Sequence, residues 1–246
     1  MEIMKHYVEK FQKIKDLLNK NNPIIIEIGA HYGEDTLRFL ETFPHAKIHC
    51  FEPDDRNINI FNQMVNDDRV VLYQSALSNQ NGKARFYKSF TENESNIVPE
   101  KYDFISLDEY QNNLLHNSGS SSIKKGYPNC FSEEYYVQTI RFDDWYNRKD
   151  IGSIDFVWID VQGAEYEVID GMGSTIQNIS YIWIEYGEDE YEGALDREQT
   201  IILLKSKGFK LVKNLSSFGP KGDLVFKNRN SIFPFGFFKL LNLLLF

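Results

Sequence analysis

Cysteine is scarce in this chain of 246 residues, which contains only Cys50 and Cys130. Two cysteines so far apart exclude a disulfide scaffold and lack the spacing of a metal-binding pair. They favour a reducing compartment. The first residues also lack the charged and then apolar pattern of a secretory signal, so we expect a cytoplasmic protein.

Positive charge is also in short supply. The 27 lysine and arginine residues face 36 aspartate and glutamate residues, which gives a net charge of −9. No basic stripe is available to meet phosphates, so the composition argues against a nucleic-acid binder. The dinucleotide fingerprint G-x-G-x-x-G is missing as well, which counts against a nicotinamide-dependent oxidoreductase.

Long apolar runs are missing except at the C-terminal end, in residues 231–246. This tail is shorter than the roughly 20 residues of a membrane span, and it lacks the basic face of interfacial helices. We expect it to dock on the body of the protein or on a second subunit in a homo-oligomer. Peripheral contact with the inner face of a membrane is the alternative.

Strand-like and helix-like segments alternate along the rest of the chain. Apolar residues at helical spacing predict an N-terminal helix over 2–20, and further helices are expected near 34–43, 55–65, 164–170 and 195–207. Strands are predicted at 24–28, 47–52, 70–74, 84–88, 136–140, 154–160, 181–186, 208–213 and 223–227. Such alternation predicts a doubly wound α/β fold with a mostly parallel sheet. The closing strand pair has no helix between its members and must be an antiparallel hairpin.

One long stretch, 91–133, interrupts this alternation and is rich in Asn, Ser, Glu and Tyr. A stretch of this length inside a compact domain is typical of a lid or a binding loop. We therefore predict a single domain over 1–230 with a substrate lid at 91–133. Ser121 and Tyr127 in this lid are expected to contact the substrate.

A turn with two glycines follows the first predicted strand. Gly29 and Gly33 let the backbone pass close to a ligand, and Ala30 and His31 lie between them. Glu27, at the end of the strand, adds a carboxylate that suits a cofactor with a cationic amino-acid group better than a pyrophosphate. We therefore expect this loop to bind a nucleotide-like cofactor.

Other acids end the neighbouring strands, at the edge where open α/β sheets bind their ligands. Glu52, followed by Pro53, is placed to accept hydrogen bonds from both hydroxyls of a ribose. Ser75 and Ala76 end the third predicted strand, where an adenine edge would lie. Asp160 ends the fourth parallel strand of the expected sheet.

These motifs together resemble the FkbM family of S-adenosylmethionine (SAM) dependent methyltransferases, over roughly residues 22–228. The resemblance is carried by Glu27-Ile28-Gly29-Ala30-His31-Tyr32-Gly33, Phe51-Glu52-Pro53, Ser75-Ala76-Leu77-Ser78, Ser120-Ser121-Ser122, Arg141-Phe142-Asp143-Asp144, Ile159-Asp160-Val161-Gln162-Gly163-Ala164-Glu165 and Ile184-Glu185. It implies a class I methyltransferase fold with a seven-stranded, Rossmann-like sheet, SAM as cofactor, and O-methylation of sugars or polyketide-type hydroxyls.

The chain departs from the family pattern at four positions. Glu27 replaces the usual Asp, Phe142 the usual Leu, and His31 a small amide residue. Gln162 replaces the usual Glu and removes a charge beside Asp160, which counts against a three-carboxylate metal site. A divalent metal ion is therefore left open but is not indicated.

The resemblance and the sheet-edge rule together yield a set of candidate site residues. Asp160 is the first candidate for the catalytic base, His31 is the second, and Glu185 could assist. Cofactor binding is assigned to Glu27, Gly29, Ala30, His31, Gly33, Glu52, Pro53, Ser75, Ala76 and Asp160, and substrate binding to Ser121, Tyr127, Gln162, Glu165 and Tyr186.

The acceptor is expected to be a sugar hydroxyl, in a nucleotide-linked sugar or a precursor of a surface glycan. The alternatives are methylation of a non-sugar hydroxyl or amine, and a non-catalytic SAM-binding or scaffold protein.

Overall fold

The computed structural model describes residues 2–90, 118–126, 131–187, 190–214 and 220–230. Tyr127, Cys130 and the apolar tail 231–246 lie outside the described residues. That residues 1–230 form a single domain stays a prediction, since several stretches of that range are also outside them. In the part of the chain that is described, no helix has the length and apolarity needed to cross a bilayer.

Helices and strands alternate much as the sequence predicts. The α-helices are α1 (Glu2–Leu18), α2 (Glu34–Thr42), α3 (Asp55–Met64), α4 (Phe142–Arg148), α5 (Glu165–Gly171) and α6 (Arg197–Ser206). The strands are β1 (Ile24–Ile28), β2 (Lys47–Phe51), β3 (Val70–Tyr73), β4 (Ala76–Ser78), β5 (Gly82–Phe90), β6 (Phe131–Arg141), β7 (Ile154–Ile159), β8 (Ile179–Gly187), β9 (Phe209–Asn214) and β10 (Lys221–Asn228).

Seven of these strands form the main sheet, in the order β3-β2-β1-β7-β8-β10-β9. Within this sheet β3, β2, β1, β7 and β8 pair in parallel, each with its neighbour. Strand β10 lies antiparallel to both β8 and β9. A mostly parallel seven-stranded sheet with a C-terminal antiparallel pair confirms the fold class expected from the sequence.

Both faces of the sheet are covered, as the apolar strands require. In β7, Phe156 and Trp158 pack with α1 and α2, whereas Val157 and Ile159 belong to the cluster that includes α4, α5 and α6. On the first face, the ring of Phe39 meets the edge of Trp158 with 5.8 Å between centroids. The sheet is therefore doubly wound, and its ligand edge is held rigidly from both sides.

A second, three-stranded sheet was not anticipated from the sequence. β6 lies between β4 and β5, parallel to the first and antiparallel to the second. Ala76 therefore begins β4 rather than ending β3, which stops at Tyr73, and Ser75 lies in the connection. Strand periodicity predicts where strands lie but not which distant strand they join, so this pairing was missed.

Residues 118–126 of the predicted lid lie between this small sheet and the main one. Tyr87 of β5 forms paired backbone hydrogen bonds with Ser122, of 2.8 and 3.2 Å. At the other end, Glu192 donates its backbone N–H to the carbonyl of Lys125 at 2.8 Å. Lys124 also forms an ion pair of 2.5 Å with Glu167 of α5. The segment is thus fixed at both ends.

Helix α5 and the second sheet meet at a tight backbone contact, where Gly171 at the end of α5 faces Ser78 of β4. A Cβ atom on Gly171 would lie 2.0 Å from the carbonyl oxygen of Ser78. We expect Gly171→Ala to lower the free energy of unfolding by about 1–3 kcal/mol, because the overlap forces the helix and β4 apart. Chemical denaturation measures this difference.

Gly187→Ala is the matched control, because a Cβ atom there meets its nearest neighbour at an ordinary 3.5 Å. Its stability should stay within about 0.5 kcal/mol of the parent protein. Equal stabilities for the two variants would contradict the proposed contact.

Candidate active site

The site lies where β1 and β7 run side by side and the chain leaves them in opposite directions. The backbone N–H of Asp160 donates to the carbonyl of Ile28 at 3.0 Å. Gly29 has a φ of 87°, and a Cβ atom there would lie 1.8 Å from the carbonyl oxygen of Asp160. Only glycine fits at this position, so the first loop and the candidate base are held against each other.

A cavity of about 510 Å³ opens at this edge of the sheet. Of the residues predicted to bind the cofactor, all but Gly33 line it. Gly33 instead packs against Phe61 and Val65 of the α3 region. Of those predicted to bind substrate, Ser121 and Gln162 line the cavity, whereas Glu165 and Tyr186 are buried beside it. The volume is in the range of small-molecule and cofactor sites.

Glu27 is buried at the base of the cavity. Its carboxylate accepts a hydrogen bond of 2.6 Å from the hydroxyl of Thr36 and lies 3.5 Å from the thiol of Cys50. Burial, and secondarily the charge of Asp35, raise the pKa of Glu27 well above its usual range. A cationic group bound in the cavity would offset this cost, which fits the cofactor type that the sequence indicates.

Glu52 organises the loop on the other side of the cavity. One carboxylate oxygen accepts a hydrogen bond of 2.9 Å from the backbone N–H of His31. The other oxygen accepts from the backbone N–H of Asp54 at 2.9 Å and from the side-chain amide of Asn57 at 3.2 Å. Burial, followed by the charge of Asp54, raises the pKa of Glu52 to about 7. Three of about four acceptor positions are used, which leaves room for one ribose hydroxyl rather than two.

Two buried polar atoms of the cavity residues have no hydrogen-bond partner among the described residues: the hydroxyl oxygen of Ser75 and the amide oxygen of Asn57. Buried polar atoms are rarely left unpaired unless a ligand or water completes them. Both can accept from the amino group of adenine, and the Ser75 hydroxyl can also donate to a ring nitrogen, so the site fits the adenosine part of SAM. Asn57 was missed by the sequence reasoning, because only its position in the helix after Glu52 marks it.

The acids on the far side of the cavity form a compact cluster. The side-chain amide of Gln162 donates to Asp160 at 2.6 Å and to Glu185 at 3.1 Å. Burial, followed by the charge of Asp160, raises the pKa of Glu185 far above its usual range. Glu185 therefore favours its protonated form at neutral pH.

Glu185 does not line the cavity itself, so its action on a substrate would pass through Asp160 or Gln162. Glu165 is also buried, and its carboxylate accepts the backbone N–H of Gly163 at 3.1 Å. Burial raises the pKa of Glu165 to about 7. Its contact with the loop after Asp160 supports that loop. Substrate binding by Glu165 and Tyr186 stays a prediction.

His31 belongs to the loop of residues 29–33, here called the cofactor loop. It lines the cavity wall beside residues 118–126, here called the lid segment. Its Nδ1 lies 3.1 Å from the Glu34 carboxylate, and its Nε2 lies 3.0 Å from the hydroxyl of Ser118. The hydroxyl of Tyr32 also bonds Ser118, at 2.8 Å. Both ring nitrogens are thus engaged, and His31 ties residues 118–120 to the cofactor loop. Its role as a base stays a prediction, and it would require one of these bonds to break.

The described residues contain no group of three or more His, Cys, Asp or Glu side chains arranged to hold a metal ion. Gln162 directs its amide hydrogens, rather than an oxygen, toward Asp160 and Glu185.

Comparison with known proteins adds to this geometry. The model of the methyltransferase FkbM domain matches residues 27–211. The chain belongs to this family. It is a SAM-dependent methyltransferase, and the matched range spans the cofactor loop, the insertion and the acid cluster. The resemblance stated from the sequence motifs is thereby confirmed.

Two curated relatives and one solved structure illustrate the range of the likeness. The chain is 33% identical to the 2-O-methyltransferase NoeI of Sinorhizobium fredii, over 88% of this chain and 84% of NoeI. It is 23% identical to the methyltransferase sdnD of Sordaria araneosa, over 81% and 78%. TrmK of M. capricolum, solved with S-adenosylhomocysteine, aligns with a TM-score of 0.47 at 11% identity, over 90% of this chain and 68% of TrmK.

The affinity for SAM should depend on pH because of the cavity carboxyls. Burial raises the pKa of Asp35 to about 6, and that of Glu52 is raised to about 7. SAM carries positive charge, so it binds the ionised carboxylates better. We expect the Kd for SAM to fall roughly tenfold between pH 5.5 and 7.5. Isothermal titration calorimetry measures this slope.

The slope should flatten in Glu52→Gln, which cannot ionise at this position. Glu41→Gln, which changes an exposed carboxyl of α2, should keep the slope of the parent protein. A Kd that does not change with pH in the parent protein would show that these carboxyls do not sense the cofactor.

Proposed function

We propose that this methyltransferase transfers the methyl group of SAM to a hydroxyl of a sugar, with Asp160 as the base. The observation that carries the proposal is the Asp160 carboxylate on the wall of the cofactor cavity, next to the proton held by Glu185. Support for oxygen as the methylated atom comes from NoeI, which is named a 2-O-methyltransferase.

A sugar hydroxyl is a weak nucleophile at neutral pH, so removal of its proton assists the reaction. When bound, SAM supplies a methyl carbon that its sulfonium group has already activated. As the acceptor oxygen forms its bond to this carbon, the carbon–sulfur bond breaks and sulfur leaves as a neutral thioether. The hydroxyl proton passes to Asp160, which later releases it to water.

Glu185 keeps the charge of this pair low. Because burial and the neighbouring Asp160 carboxyl favour a proton on Glu185, two adjacent negative charges are avoided. Gln162 donates to both carboxyl groups and so fixes their orientation. Alignment of base, acceptor and methyl group is the main contribution that such a site makes to the rate.

The charge of the cavity also bears on the acceptor. Five carboxyl residues line it: Glu27, Glu34, Asp35, Glu52 and Asp160. A phosphate inside this cavity would be repelled. If the acceptor is a nucleotide-linked sugar, it would therefore present its sugar to Asp160 and keep its diphosphate outside. Sugar hydroxyls, by contrast, are good donors to carboxylate oxygens.

The acceptor class is testable with SAM that carries a ¹³C-labelled methyl group. We expect a labelled methyl ether to form on neutral glycosides or on nucleotide-linked sugars, and no product on simple primary amines. Mass spectrometry and NMR of the product identify the methylated atom. Labelled N-methyl products, or labelled ethers only on acceptors without a sugar, would contradict the proposal.

The role of Asp160 is testable by Asp160→Asn, which keeps the size of the side chain but cannot accept the proton. We expect product formation to fall at least about 100-fold while the Kd for SAM changes little, because a base acts mainly in the transition state. Asp68→Asn, at an exposed position, is the control and should keep full activity. Full activity in Asp160→Asn would remove Asp160 as the base. If the parent protein bound SAM but methylated none of the acceptors, a non-catalytic binding protein would be favoured.

A further inference from the structure

Tyr191 lies at the junction of the lid segment and the acid cluster, and neither the sequence motifs nor the proposed chemistry uses it. Its hydroxyl lies 3.0 Å from the amide oxygen of Gln162 and 2.9 Å from the backbone carbonyl of Ser120. Its backbone pairs with Gly126 at the far end of the lid segment. One side chain thus touches both the lid and the residue that orients the acids.

The position of the Tyr191 ring is set by close packing. A Cβ atom on Gly163 would lie 2.4 Å from the Cβ atom of Tyr191, so the tyrosine fills the space beside the loop that carries Gln162. Gly126 lies against the ring of Tyr191. A Cβ atom on Gly126 would lie at an ordinary 3.5 Å from this ring. Loss of the hydroxyl alone would leave this packing in place.

The bond to Tyr191 fixes which end of the Gln162 amide faces the acids. The tyrosine O–H donates to the amide oxygen, so the amide nitrogen points to Asp160 and Glu185. A tyrosine has a single hydroxyl proton, and here it is shared between Gln162 and the Ser120 carbonyl. The orientation of the amide is therefore coupled to the position of residues 118–126.

We propose that Tyr191 is a positioning residue, which acts through Gln162 to orient the Asp160–Glu185 pair and links that orientation to the position of residues 118–126. This inference rests on the proposed function, because it assigns Tyr191 a part in the same proton transfer. The hydroxyl of Tyr191 contacts Gln162 and Ser120, which are not among the residues assigned to the cofactor, so we expect the Kd for SAM to depend little on it.

The charged groups that face the pair remain in place when Tyr191 is changed. They are Asp35 of α2, Glu165 of α5, and Asp223 and Lys221 of β10. A shift in the proton affinity of the pair in a Tyr191 variant would therefore come from the Gln162 amide. The N–H groups of Gln162 stabilise the ionised form of a carboxyl. Loss of these hydrogen bonds would therefore favour the protonated form.

The first test is Tyr191→Phe, with Tyr136→Phe at an exposed position of β6 as the control. We expect kcat to fall about 10-fold, the Kd for SAM to stay within about twofold, and the acidic limb of the kcat–pH profile to move to higher pH. The control should match the parent protein. An unchanged pH profile, or loss of SAM affinity, would overturn the proposal.

A double-mutant cycle with Gln162→Leu tests whether Tyr191 acts through Gln162. If it does, Tyr191→Phe should have little further effect on kcat once Gln162 is replaced. Additive effects would overturn the proposed route.

A readout independent of activity is the NMR signal of the Gln162 side-chain amide in the ¹⁵N-labelled protein. Both hydrogens are held by carboxyl groups in the parent protein, and their chemical shifts should move toward those of a free glutamine amide in Tyr191→Phe. Unchanged amide signals would overturn the inference even if methyl transfer is found. Changed signals in a protein that methylates no sugar would instead leave the coupling intact and reject the proposed function.

Discussion

The close approach of Gly29 to the carbonyl of Asp160 is the constraint on which the site depends. Two parallel strands end side by side, and the backbone after each turns without room for a side chain between them. The loop after β1 and Asp160 therefore share one wall of the cavity. Because both faces of the sheet are buried under helices, that wall cannot shift without disturbing two cores.

Several carboxyl groups are buried around this contact, and burial of their charged form costs free energy. Glu27, Glu52 and Glu165 are buried, and their pKa values are raised by that burial. Without a ligand, such groups favour the protonated form over the charged one. A bound cofactor that carries positive charge, as SAM does, would favour the charged form. The Ser75 hydroxyl and the Asn57 amide oxygen, which have no partner within the described part of the chain, fit a cofactor that also carries an adenosine group.

Gln162, at the position where the family usually has Glu, contacts two carboxyl groups. An amide can donate to two carboxyl groups at once, whereas a carboxylate at this position would add a third like charge. The amide oxygen that remains is taken by Tyr191, which also holds the lid. His31 and Ser118 hold the same lid segment from the cofactor side. The lid thus contacts both halves of the site through hydrogen bonds.

The sequence by itself determined the order of strands and helices, the antiparallel ending and the family, because these follow from local periodicity and short motifs. It also placed Glu27, Gly29, Glu52 and Asp160 at one edge, since parallel strands end together. Only the tertiary structure decided the second sheet, the separation of Ser75 from β3, and the contacts of Tyr191 with Gln162 and Ser120. These depend on contacts between residues far apart in the chain, and neither hydrophobic pattern nor spacing records which distant groups will meet.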